Sequence, residues 1–164
     1  MRIFPASIAS GFILLVSASC TDTCSENKNA LPLAGFYASG ESKESITVDS
    51  LEVYGPGAPD DAVLSEGDVA KDRLFLPFRI DSDTTRYVFR DCRKGSTARD
   101  TVTFIYSRTP RFVNVECGVS YLFGIKDITC QGVLIDSVTC PQGFIDNTNS
   151  ENLHIYFSVS NAES

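Results

Sequence analysis

Few residues of this chain are of a type that does chemistry. His154, the single histidine, stands in "NLHIYF", where alternation puts Leu153, Ile155 and Phe157 on one face and His154 with Tyr156 on the other. A histidine there could act as a general base, but no serine and carboxylate converge on it in the sequence, and an outward strand residue is the simpler expectation. Asp60, Asp61, Glu66, Asp68 and Asp72 crowd the segment "GPGAPDDAVLSEGDVAKD" at 55–72. Carboxylates are calcium ligands, yet the DxDxDG order of a calcium loop is missing. That segment is expected to be a long solvated loop with room for a short helical turn. Nucleophile elbows, phosphate loops and zinc-protease helices are absent. The expectation is no catalytic residue, no metal and no cofactor.

Cysteine is the other reactive type. Six are present, at positions 20, 24, 92, 117, 130 and 140. None forms a CxxC pair, and one histidine cannot complete a zinc set. In an oxidising compartment such cysteines pair, so Cys117, beside Gly118, reads as a disulfide partner rather than a reactive thiol. The connectivity of Cys92, Cys130 and Cys140 is left open. A further pattern is Asp, then Ser or Thr, then an aliphatic residue or Thr. It occurs at Asp49-Ser50-Leu51, Asp83-Thr84-Thr85, Asp100-Thr101-Val102 and Asp136-Ser137-Val138. It resembles the O-glycosylation sequon of exported Bacteroidetes proteins, with Ser50, Thr84, Thr101 and Ser137 as acceptors. Such pairs also begin strands for reasons of turn chemistry. Thr84 is the acceptor expected to be most exposed, and mid-strand Ser137 the least available.

Compartment is written at the amino end. Residues 3–19 are uncharged, behind Arg2, and are shorter than the run of about 20 apolar residues that a spanning helix needs. A positive start, the core "IASGFILLV" and then small residues form an export signal. "SAS" before Cys20 resembles the lipobox of bacterial lipoproteins, in which Cys20 is diacylated and becomes the mature amino terminus. Ser17 departs from that pattern, where a larger aliphatic residue is usual; a plain cleaved signal and an uncleaved anchor are the alternatives. The domains expected are a signal peptide at 1–19, a lipidated tether at 20–32, one β domain at 33–160 and a flexible end at 161–164. The chain carries a formal charge of −7. Such acidity leaves no electrostatic footprint for nucleic acid and no polybasic grip on anionic lipid, so the acyl chains are the expected membrane partner.

The rest reads as strands. Runs of β-branched and aromatic residues, broken by Gly, Pro, Asp and Ser, predict strands at 33–38, 46–54, 73–80, 86–90, 101–107, 112–116, 121–129, 133–139 and 152–159. In "DTVTFIYS", Val102, Phe104 and Tyr106 share one face. No helical stripe of useful length occurs. The fold class predicted is all-β, a mainly antiparallel two-sheet sandwich or open barrel of about 8–9 strands. "DCRKGSTARD" at 91–100 reads as a hairpin tip that exposes Cys92.

Read together, "SCTDTCSE", "GFYASG", "ITVDSLEVYG", "LFLPF", "RYVFR", "DTVTFIY", "VECGVSYLF", "LIDSV" and "NLHIYF" resemble, in order and spacing, a group of Bacteroidetes-type lipoproteins known as a domain of unknown function. The resemblance covers the chain from the lipobox almost to the end. It implies an envelope lipoprotein, and it implies a Cys24–Cys117 disulfide that pins the tether to the sheet. Closing a loop of roughly 90 residues stabilises by about 4–5 kcal/mol in the chain-entropy account. Two function classes follow. The first is a non-catalytic binding or interaction module at the outer membrane that meets a glycan or a protein partner through loops, with Tyr54, Tyr87 or Tyr121 as aromatic contacts. The second is a metal-dependent or enzymatic envelope factor, which requires the acidic loop at 58–72 to converge with His154. Asp22 and Glu26, behind Cys20, are too sparse to choose between the periplasmic and surface faces of the membrane.

Overall fold

The computed structural model describes residues 30–40, 43–57, 63–115, 117–148 and 150–158. They form ten strands: β1 Leu33–Ala38, β2 Leu51–Tyr54, β3 Val63–Glu66, β4 Arg73–Phe75, β5 Thr84–Asp91, β6 Arg99–Asn114, β7 Gly118–Gln131, β8 Ile135–Thr139, β9 Phe144–Ile145 and β10 Glu151–Phe157. One sheet has the order β4-β1-β10-β8 and the other β3-β2-β5-β6-β7-β9. All pairs are antiparallel except β1 with β10. The sheets face each other as an open sandwich, as the alternating pattern predicts.

Alternation fixes the core. Phe36, Leu153 and Ile155 point inward from the four-stranded sheet, and Val53, Phe89, Val102, Phe104, Tyr106 and Phe123 from the six-stranded one; each is at most 1% exposed. Phe78, in the irregular stretch after β4, stacks on Tyr106 with ring centroids 4.6 Å apart and meets Phe104 at 5.0 Å and Phe123 at 5.4 Å. The buried Tyr106 hydroxyl is satisfied within a closed set of bonds. It donates to the Arg79 carbonyl at 2.9 Å and shares a 2.6 Å bond with Thr85 Oγ1, which accepts the Arg79 N–H at 3.0 Å. A tyrosine can enter a core when its hydroxyl is paired in this way.

Several sequence expectations change. β3 lies inside the segment predicted to be a loop with a helical turn, and β9 is a further short strand. Two strands predicted at 101–107 and 112–116 are one, β6. Pro110 suggested the break, yet β5 ends at Thr84, opposite Ile105, so beyond that point β6 pairs only with β7 and a proline without an N–H is accommodated. The predicted strand at 73–80 ends at Phe75, because residues 76–79 leave the sheet to carry Phe78 into the core. The hairpin at 91–100 forms as expected, with Cys92 exposed.

Candidate functional site

The outer face of the four-stranded sheet carries the densest group of polar and aromatic side chains that the predicted residues lead to. The parallel pairing of β1 with β10 sets Gly35 beside His154 and Tyr37 beside Tyr156. β4 adds Arg73 opposite Gly35, and β8 adds Ser137 opposite Tyr156. Glu151 enters from the start of β10. Its carboxylate lies over Gly35, where a Cβ would come within 2.3 Å of it. The glycine is therefore what gives the carboxylate its place.

Glu151 Oε1 accepts a short hydrogen bond from the Tyr37 hydroxyl and lies 3.3 Å from His154 Nε2. The Tyr156 hydroxyl is 3.5 Å from His154 Nδ1. The rings tile the surface, Tyr37 against His154 at 4.9 Å and against Tyr156 at 5.7 Å. Lys43 Nζ sits 5.4 Å above the Tyr156 ring, within cation–π range. The bond to Glu151, then burial and the carboxylate's charge, raise the Tyr37 pKa to about 12. Each ring nitrogen of His154 thus has one polar neighbour, the Glu151 carboxylate or the Tyr156 hydroxyl.

Of the acidic segment's described residues, Asp72 binds the guanidinium of Arg73 at 2.9 Å. Glu66 belongs to the other sheet, opposite Glu52, and Asp68 is exposed. Asp60 and Asp61 lie outside the described residues. Among the described residues there is no group of three or more His, Cys, Asp and Glu side chains that could hold a metal.

The other predicted positions fall as follows. Cys20 and Cys24 lie outside the described residues. Cys117 is disulfide-bonded, whereas Cys92, Cys130 and Cys140 are free thiols. Burial pushes the Cys130 and Cys140 thiols up, with Asp100 adding to the shift at Cys130, so neither is primed as a nucleophile. Ser50 takes a left-handed backbone, φ 52°, just before β2. Thr84, Thr101 and Ser137 are each partly buried, at the start of β5, in β6 and in β8. Tyr87, expected among the aromatic contacts, is 5% exposed and belongs to the core; its hydroxyl bonds the Pro77 carbonyl, and burial raises its pKa strongly. Tyr54 and Tyr121 are half-buried, and Tyr121 packs against the core. Tyr37 and Tyr156 are half-buried too, but they lie together on the outer face of the four-stranded sheet. "GFYASG" carries the signal for Tyr37, because alternation that buries Phe36 turns Tyr37 outward.

A cavity of about 220 Å³ opens at the β2 end of the sandwich, between Leu51, Leu134 and Phe157 on one side and Asp49, Asp91 and Arg93 on the other. Arg93 clamps Asp91 there through Nε and Nη2 at 2.9–3.1 Å, and this bond holds the Asp91 carboxyl down at about 2.

A profile described as a family of unknown function, DUF6452, matches residues 50–157. The chain belongs to DUF6452. The match spans β2 to β10 and so includes Glu151, His154 and Tyr156, whereas β1 with Gly35 and Tyr37 precedes it. No curated protein and no solved structure gives a match. DUF6452 thus agrees with the unknown-function domain that the sequence resembles, and its description carries no activity.

Proposed function

We propose that this protein is a lipid-anchored envelope lipoprotein of the outer membrane whose β domain is a non-catalytic binding module, with the outer face of the four-stranded sheet as its contact surface. The anchor rests on "LLVSASC", ending at Cys20. The binding surface rests on one observation: Tyr37, His154 and Tyr156 form a tiled aromatic platform flanked by Glu151, Arg73 and Lys43. Sugar rings offer C–H faces to aromatic rings and hydroxyls to carboxylates and imidazoles, so a glycan is the ligand whose chemistry fits best. In this reading Cys24 is the partner of Cys117.

Two experiments test the proposal. Protease treatment of intact and lysed cells, beside a Cys20→Ala variant, reads the anchor; release of the variant from the membrane fraction is expected, and retention overturns the lipoprotein reading. Glycan-array binding by the purified protein reads the surface. Tyr37→Ala with Tyr156→Ala is expected to abolish retention without changing the circular dichroism. Equal retention by wild type and the double variant would overturn the assignment of the face, as would a wild type that binds no glycan.

A further inference from the structure

The β6–β7 hairpin outruns the sandwich. Its strands stay paired as far as Asn114 with Gly118, and β6 becomes exposed from Thr109 on, while Ser120 and Phe123 of β7 stay buried. Phe112 continues the face of β6 that buries Tyr106, and Val119 lies directly opposite it. At the end stand three large apolar side chains, Phe112 at 66%, Val115 at 93% and Val119 at 50% exposure. They form one patch at the tip of a projecting element, an arrangement that marks a contact surface rather than scattered exposure.

Where the amino-terminal segment joins the domain indicates what covers this patch. Ala30 is buried and donates its N–H to the Tyr121 carbonyl at 3.1 Å. Tyr121 is about 10 Å along β7 from Gly118. The chain from Cys20 to Ala30 can extend at most about 35 Å, so an acylated Cys20 holds this end of the sandwich near the bilayer. With Cys24 as the partner of Cys117, the lipidated residue is tethered within about 20 Å of the tip. The intervening residues, "TDTCSENKN", are polar.

We propose that Phe112, Val115 and Val119 insert into the interfacial layer of the bilayer that carries the acyl chains of Cys20. The domain is then held at two points, the lipid and the hairpin tip, and has one orientation on the membrane. The inference rests on the lipoprotein reading above. Apolar side chains in this position reach about 5–10 Å into the boundary between headgroups and acyl chains.

The chain contains no tryptophan, so a single one reports without background. Phe112→Trp and Val115→Trp probe the tip. Val133→Trp is the control, since Val133 is 67% exposed at the opposite end of β7. Each full-length protein is purified from cells, its acylation read by mass spectrometry, and reconstituted in vesicles of phosphatidylethanolamine and phosphatidylglycerol with or without doxyl-labelled lipid. The expected result is blue-shifted emission at both tip positions with loss of most of its intensity to the doxyl group, and unchanged emission from V133W. Acylated protein whose tip variants are no more quenched than V133W overturns the tip contact alone. Blue-shifted but unquenched emission assigns the patch to a second copy of the chain, and also overturns it. An unacylated Cys20 overturns the anchor and the tip contact together.

Discussion

Asp100 is fully buried and serves as a staple. Its two carboxylate oxygens accept the N–H groups of Val133, Leu134 and Ile135 at 2.7–3.0 Å, fixing the turn that leads from β7 into β8. Gly132 permits the approach, because a Cβ there would lie 1.9 Å from Asp100 Oδ1. Asp100→Ala leaves three amides without their acceptor and is expected to cost about 2–5 kcal/mol in urea unfolding. Asp91 gives a pH signature. Its carboxyl is held at about 2 by Arg93, below the unfolded value of about 3.9, so its contribution is complete above about pH 4 and is lost as pH falls toward 2. Unfolding measured from pH 5 to 2 should show this loss, of about 2 kcal/mol, and Asp91→Asn should remove it. Glu151→Gln should bring the Tyr37 titration, raised to about 12, back toward the ordinary tyrosine value in ultraviolet absorbance. These residues also show what the Asp-Ser/Thr pattern does in this fold. Asp100 staples a turn and Asp83 pairs with Arg108, so two of the four aspartates hold structure whether or not their neighbours are modified, whereas Asp136 accepts the Ser137 hydroxyl itself.

Among the elements, the β6–β7 hairpin has two halves of unequal stability. Val102, Phe104 and Tyr106 are fully buried, whereas residues 109–112 of β6 are exposed. Amides of residues 108–114 are expected to exchange with deuterium far faster than those of 101–106 in the detergent-solubilised protein. Comparable protection of both halves would mean that the distal half is covered in solution. The sequence made the core-facing strands legible because alternation is strong in β2, the first half of β6 and β10. It did not show β3, four residues among charges and glycine, nor that β6 is continuous, because Pro110 signals a break unless one knows that β5 has already ended there. The site was half legible. "NLHIYF" gives His154 and Tyr156 on one face, but Tyr37 reaches Glu151 across 114 positions of sequence, and pairing between the first and last strands has no local signal.

At the scale of the whole molecule, β10 is the central tie of its sheet, parallel to β1 on one side and antiparallel to β8 on the other. Leu153 and Ile155 on it are wholly buried. A chain ended before Glu151 would lose the strand that joins β1 to β8 and much of the core, and is expected to show no cooperative unfolding transition and ready proteolysis. A cooperative transition in that truncation would show that the six-stranded sheet is stable alone.

The β1–β10 pairing also sets a schedule. A segment made at the start of synthesis cannot find its neighbour until residues 151–157 arrive, so contacts of such long sequence separation form late. In the envelope lipoprotein proposed above, that lateness would be useful: the polypeptide would stay pliable enough to pass through a narrow channel while its last strand is still behind, and would become resistant to unfolding only on the far side.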